Sequence, residues 1–403
     1  MTYAETLDWM FKQLPMYQEQ GKFALNGKLD TIKSFSDFLD NPEEKFKSIH
    51  VAGTNGKGSS SHMLASVLQE AGYKVGLYTS PHLKDFRERI KINGKSVNQK
   101  FVVSFIEDNQ PFFNKNKLSF FEMTVGMAFS YFAKKEVDIA VVEVGLGGRL
   151  DSTNIVTPEV SLITNIGYDH MDVLGSTLAE ITREKAGIIK QDIPVVISEY
   201  QEETADIFRF IAQEKKSRIT FAGKEIHTVY ETSLLGNYQS KNIKGVLATI
   251  QELGTFKVNT EHIKAGLQNV VKNTGLMGRW QVLQNNPDVI CDTAHNSEGL
   301  SQVMEQIQQQ RFDRLHMVIG FAIDKNLEGI FPFFPKEAVY YFSKPAVQRG
   351  LDIQILKEKA VEYGLEGKGY DSVSAAYKAA LKNASDTDFV FVGGSTFTVA
   401  EVL

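Results

Sequence analysis

The sequence predicts an α/β protein: a mostly parallel sheet domain carrying a P-loop, followed by a smaller Rossmann-like α/β domain. Three observations carry this. Short apolar runs alternate with amphipathic helical stretches. A glycine-rich turn, residues 53–59, stands between one apolar run and a helix. A second alternation begins after a polar break at 272–279, which places a boundary near Met277 and domains at 1–277 and 278–403.

Residues 1–40 read as helical, with Leu7, Met10, Phe11 and Leu14 at helical spacing. Phe46, Ile49, Val51 and Ala52 mark the first strand, and a helix opens over 59–68 after the glycine turn. A strand at 74–78 ends in Thr79-Ser80-Pro81-His82, and helices are predicted at 101–109 and 120–133. Ser119 and Glu122 have the spacing of a capping box for the second of these. Residues 138–144 are nearly continuously apolar, as a strand buried on both faces requires, and 160–165 resembles them. A helix at 177–189, a strand at 194–198 and a helix at 204–215 continue the pattern. Helices at 239–253 and 261–271 precede the break. Beyond it, strands fall at 289–292, 315–319, 338–342 and 389–392, with helices at 300–309, 353–363 and 375–382 between them.

With 403 residues, 42% hydrophobic and 23% charged, the chain reads as an ordinary soluble globular protein. A formal net charge of −5 and the absence of a dense Lys/Arg run argue against nucleic acid as a partner. The basic stretch 84–95 is interrupted by Asp85 and Glu88. No apolar run approaches the roughly 18 residues a spanning helix needs, so no membrane role is expected. The first fourteen residues carry Glu5 and Asp8 and lack a signal-peptide pattern. The lone Cys291 excludes an internal disulfide and fits a cytoplasmic protein.

The chemistry concentrates at strand ends. In the turn after the first strand, Gly53, Gly56 and Gly58 let backbone N–H groups close on a phosphate at a helix N-terminus. Lys57 reaches β/γ oxygens, and Ser59 or Ser60 offers a hydroxyl to Mg²⁺. The standard loop has a glycine five residues before Gly56, where this chain has Val51, and Gly58 separates Lys57 from the hydroxyl. Glu143 closes an apolar strand, where nucleotide enzymes hold Mg²⁺ and where an acid can also simply face water. His170 lies beyond a strand among acids, as either a cation ligand or a structural imidazole. Lys185 shares a helical stripe with Leu178, Ile181, Ile188 and Ile189. A buried lysine has a lowered pKa and a neutral amine that can take up CO₂ as a carbamate; the alternative is snorkelling to the surface. Asp292-Thr293-Ala294-His295-Asn296 again places polar groups after a strand. Arg279 can bind a phosphate bidentately or be a solvated loop charge.

Taken together, the chain resembles the folylpolyglutamate synthase and dihydrofolate synthase family of the Mur-ligase superfamily. The matching stretches are His50-Val-Ala-Gly-Thr-Asn-Gly-Lys-Gly-Ser59, Tyr78-Thr-Ser-Pro-His-Leu83, Glu143-Val-Gly-Leu-Gly-Gly-Arg-Leu-Asp-Ser-Thr-Asn154 and Ile163-Thr-Asn-Ile-Gly-Tyr-Asp-His170. Glu184-Lys-Ala-Gly-Ile-Ile189, Gly278-Arg279, Asp292-Thr-Ala-His-Asn296 and Gly393-Gly-Ser395 follow. The resemblance implies an ATP-dependent ligase. ATP would phosphorylate a carboxylate of folate or dihydropteroate, and the amine of L-glutamate would attack the acyl phosphate. It further implies that Asn55, Gly56, Lys57, Gly58 and Ser59 cradle ATP, with Asn242, Arg279 and Asp292 as further nucleotide contacts. Ser80, Glu143, His170 and a carbamylated Lys185 would hold Mg²⁺, two ions in all. His82, Glu122, Thr124, Leu150, Asp151 and Ser152 would line the pterin substrate. His295 would stand near the reacting carboxylate or glutamate, so the catalytic set is Lys57, His170, Lys185 and His295. A monomer is expected.

Two departures matter. Met277 stands where family members often show proline, and Glu122 is explained as well by helix capping as by ligand contact. The alternatives are another amide ligase of the superfamily, or a P-loop kinase or nucleotide switch. Peptidoglycan-precursor ligases carry a nucleotide-sugar domain before the loop, for which the 49 residues ahead of His50 are too few. A kinase or switch would not need Asp292 and His295 in a second α/β domain.

Overall fold

The computed structural model describes residues 1–13 and 29–403. They form two compact units: 1–233 with 239–275, and 234–238 with 276–403. Among the described residues no helix is long and apolar enough to cross a membrane.

The first unit is built on an eight-stranded sheet. Its strands are β1 (Lys47–Ala52), β2 (Val75–Tyr78), β3 (Ile90–Ile92), β4 (Lys95–Ser96), β5 (Ile139–Glu143), β6 (Val160–Ile163), β7 (Val195–Ile197) and β8 (Ile219–Phe221). Their order is β4-β3-β2-β5-β1-β6-β7-β8. β1 pairs in parallel with β5 and β6, and β2 with β5, so the loops leaving β1, β2, β5 and β6 all emerge at one sheet edge. Of the sequence-predicted site residues, Lys57, Ser80, Glu143 and His170 lie at that end, at or beyond the ends of these strands. β5 is apolar until Glu143 because it is covered on both faces. One face carries Val142 in a core with Phe35, Phe105, Phe129 and Phe132, continued across β1 and β6 by Ala52, Ile163, Ile181 and Phe208; the other face packs on helix Lys57–Glu70.

The helix after the glycine turn runs Lys57–Glu70, two residues earlier than the sequence predicts, with left-handed Gly56 as its N-cap. Ser59 through Leu68 are buried, so this helix lies inside the unit. Its small residues admit close neighbours: a Cβ on Gly266 would fall 2.4 Å from the Val67 Cα. The helix 99–109 extends to Lys115 through Pro111. Residues 1–40 contain helices Tyr3–Gln13 and Asp30–Phe38; Leu14 lies outside the described residues. The helix carrying Lys185 ends at Ala186, so Ile188 and Ile189 follow it rather than extend its stripe.

Strands β3, β4 and β8 leave no periodic signal in the sequence. They have two or three residues each, too few to show a period. Yet Asn93-Gly94, with φ of 44° and 73°, is the turn of the antiparallel β3–β4 hairpin, and that dipeptide is a known hairpin signal.

The second unit holds a six-stranded sheet: β9 (Gln281–Gln284), β10 (Asp288–Cys291), β11 (Leu315–Ile319), β12 (Val339–Ser343), β13 (Gly367–Tyr370) and β14 (Phe389–Gly393). The order is β13-β12-β11-β14-β10-β9, parallel except for β9. Edge strands β9, half-exposed, and β13, largely exposed, are the ones the sequence does not reveal. The short segment Leu234–Tyr238 packs with this unit although helix Gln239–Glu252 belongs to the first.

Candidate active site

The turn after β1 has the shape its sequence predicts. Gly53 has φ 145°, and a Cβ there would meet Thr164 Oγ1 at 1.8 Å. At Gly56, φ is 84° and a Cβ would meet Asn242 Oδ1 at 2.2 Å. Both glycines are therefore required by conformation and by contact. The loop is tied to the end of β6: Asn55 N–H donates to Asn165 Oδ1 at 2.8 Å, and Thr54 N–H to the Asn165 carbonyl at 2.9 Å. Asn242 Nδ2 donates to Gln239 Oε1, whose Nε2 donates to Ser59 Oγ at 3.1 Å. Asn242 is thus linked through Gln239 to the first turn of the helix after the loop. Ser60 Oγ is buried and has no hydrogen-bond partner among the described residues.

Two lysines converge on one carbonyl. Lys57 Nζ donates to Gly53 O at 3.0 Å and Thr54 O at 3.1 Å, and Lys185 Nζ donates to Gly53 O at 3.0 Å. Lys185 is 4% exposed, so it is buried rather than snorkelling, although only Leu178 and Ile181 of its expected stripe share the helix. Burial, then the charge of Lys57, pushes its ammonium down to about 7, while Asp169 and Asp151 pull the other way. The lowered pKa raises the share of neutral amine, the form that adds CO₂.

Ser80 and Glu143 meet at the ends of β2 and β5: the buried Glu143 carboxylate accepts from Ser80 N–H at 3.1 Å. Hydroxyl and carboxylate oxygens are the hard donors Mg²⁺ prefers, in sites it usually completes with phosphate and water. His170 has left-handed backbone, φ 52° and ψ 39°, with Nε2 3.8 Å from Asp169 Oδ2. Among the described residues no three His, Cys, Asp or Glu side chains form a ready-made metal cluster.

Asp151 caps the turn Ser152–Ile155, accepting from Leu146 N–H at 2.8 Å and from the Thr153 amide and hydroxyl. Burial raises its pKa. Thr153 Oγ1 lies 2.9 Å from Nε2 of His50, whose imidazole burial holds neutral, down at about 3. Thr124 Oγ1 stands 3.1 Å from the buried Tyr78 hydroxyl, a group the sequence analysis passes over as strand core. Glu122 is buried and completes the capping box, Ser119 N–H donating to it at 2.7 Å. Leu150 is exposed and Ser152 half-buried. His82 accepts from Arg89 Nε at 2.8 Å.

In the second unit, the buried Asp292 accepts from the Tyr238 hydroxyl at 2.6 Å, Trp280 N–H at 2.7 Å and Ala294 N–H at 2.8 Å. Tyr238, whose phenol burial and Asp292 push well up, has no sequence signal because Asp292 is 54 residues away. His295 Nδ1 lies 3.0 Å from the Thr293 carbonyl, and Arg279 Nη1 donates to Gly278 O at 3.1 Å.

Residues 51–282 match the Mur ligase middle domain, and 278–396 the Mur ligase glutamate ligase domain. A dihydrofolate synthase/folylpolyglutamate synthase of Bacillus subtilis is 34% identical over 81% of this chain and 81% of its own length. A probable bifunctional folylpolyglutamate synthase/dihydropteroate synthase of Haloferax volcanii is 32% identical over the whole chain, which spans 50% of that relative. The solved structure of E. coli FolC in complex with DHPP and ADP superposes with a TM-score of 0.89 at 29% identity, covering 100% of this chain and 97% of that one. The chain belongs to the folylpolyglutamate synthase/dihydrofolate synthase family, ATP-dependent ligases of the Mur-ligase fold.

Proposed function

We propose that this chain joins L-glutamate to a folate-type carboxylate at the expense of ATP, acting on a reduced folate, on dihydropteroate, or on both. The observation that carries the reading is the convergence of Lys57 and Lys185 on Gly53 O, within a strand–glycine turn–helix. The backbone N–H groups of 55–59 and the start of helix Lys57–Glu70 take the ATP phosphates, and Lys57 leaves its loop carbonyls for the β/γ oxygens. Asn242 would border the nucleotide; Arg279 and Asp292 are nucleotide contacts by the family resemblance alone. The γ-phosphoryl passes to the substrate carboxylate. The amine of glutamate then attacks the acyl phosphate, and the tetrahedral intermediate expels phosphate. Ser80, Glu143 and His170 would hold Mg²⁺, which supplies charge neutralisation on the phosphates when bound. Lys185 as a carbamate would add an anionic ligand; its lowered pKa supports that role. Thr124, Asp151, Ser152, Leu150 and His82 would line the acid substrate; a role for His295 near the glutamate is supported by the family resemblance alone. Glu122 acts there through the helix end it caps. The working form is a cytoplasmic monomer.

Incubation with ATP, Mg²⁺, glutamate and either dihydropteroate or a reduced folate tests this. ADP release is expected to require both the pterin and glutamate. ADP release indifferent to both would favour a kinase or switch and end the ligase reading.

A further inference from the structure

Arg89 is a charge that the reaction above leaves unused. It closes the short turn Phe86–Arg89 and is 3% exposed. The groups it touches are neutral. Its Nε donates to His82 Nδ1 at 2.8 Å, its guanidinium carbon lies 5.3 Å from the Phe120 ring centroid, and the Tyr78 hydroxyl stands beside it. His82 is no counter-ion, since its Nδ1 accepts the Arg89 hydrogen bond, which an imidazolium could not do.

Two acids, Glu143 and Glu88, act on Arg89 through their fields, but each is engaged elsewhere. Glu88 accepts the backbone N–H groups of Leu83, Lys84 and Asp85 at 2.8, 3.0 and 2.8 Å. Glu143 accepts from Ser80 N–H. A buried guanidinium with neutral contacts is costly, and its planar fork is shaped for a carboxylate. Its surroundings say which one. Tyr78 bonds Thr124 and feels Arg89, Asp151 and Glu143 together. Arg89 therefore belongs to the cluster that lines the acid substrate.

We propose that Arg89 binds the carboxylate of the acid substrate, holding the group that is to be phosphorylated. This rests on the folate-type reading above. The test compares dihydropteroate with its neutral carboxamide, both titrated calorimetrically into the full chain with ADP and Mg²⁺. Wild-type protein is expected to prefer the carboxylate by about tenfold to a hundredfold. In Arg89→Gln the preference should shrink to about threefold or less, with the carboxamide affinity nearly unchanged. Arg89→Lys, which keeps the charge and loses the fork, should fall between, and it carries the test if Arg89→Gln does not fold. A variant that weakens both ligands equally, or keeps the full preference, overturns the assignment. Wild-type protein that binds both ligands without preference overturns it too. Wild-type protein that binds neither overturns this assignment, and one that also fails to bind a reduced folate overturns the folate-type reading.

Discussion

Lys57 and Lys185 share an acceptor, Gly53 O, yet differ in environment, and that difference separates their roles. Lys57 is half-buried at the mouth of the turn. Its replacement by alanine should cut ligation at least about a hundredfold, read as ADP release with both substrates present. Lys185 is fully enclosed and titrates at about 7, against 10.5 for a free lysine. Between those values the unfolded chain holds the proton that the native state has lost, so stability rises with pH; below about 7 the penalty is constant. In metal-free, CO₂-free buffer, urea midpoints should climb between about pH 7 and 9 more steeply in wild type than in Lys185→Met. Equal slopes would place the amine in water. With bicarbonate present, a ¹³C carbamate resonance should appear in wild type and vanish in the variant. The burial of Lys185 was legible because Ile181 precedes it by one helical turn. Arg89 was illegible: amid Lys84, Arg87 and Lys91, with Asp85 and Glu88 between, it looks like a solvated charge.

At the level of elements, helix Lys57–Glu70 shows how the site is held. It is buried nearly all round, and Ser66 Oγ donates to Gly266 O at 2.6 Å on the neighbouring helix Thr260–Gln268. Gly266→Val should force these helices apart and cost about 1–3 kcal/mol by overpacking, measured by urea unfolding. The same variant should loosen nucleotide binding, since the turn opens that helix; unchanged stability would show that the contact yields easily. The capping box of helix Phe120–Lys134 was plain in the sequence because it needs only Ser119 and Glu122 three residues apart. The β3–β4 hairpin was not, although Asn93-Gly94 announces its turn. Lys91 in β3 looks like a surface residue but is buried, donating to Thr274 O at 2.8 Å, an interaction 183 residues apart.

For the whole molecule, each unit places its polar residues beyond the carboxyl ends of parallel strands. In the first unit these are the loops after β1, β2, β5 and β6; in the second, the loop after β10. A ligase that activates an acid and then admits an amine should show ADP release coupled to both. We expect omission of either glutamate or pterin to reduce turnover at least about tenfold, within the range that positioning of reactants supplies. The Haloferax volcanii relative is about twice as long, so activities of its remaining half are not ascribed to this chain.

The sequence by itself determined the α/β class, the strand–glycine turn–helix and the acid at the end of β5. Periodicity, glycine at left-handed positions and apolar continuity are local properties of a chain. Only the tertiary structure decided that Lys57 and Lys185, 128 residues apart in Met1–Leu403 numbering, share one carbonyl. It alone joined Asp292 to Tyr238 and gathered Arg89, Tyr78, Thr124 and Asp151. Those groupings arise from the order in which strands pair and the edge at which their loops emerge. Both are set by packing between segments far apart in the chain, which no local pattern records.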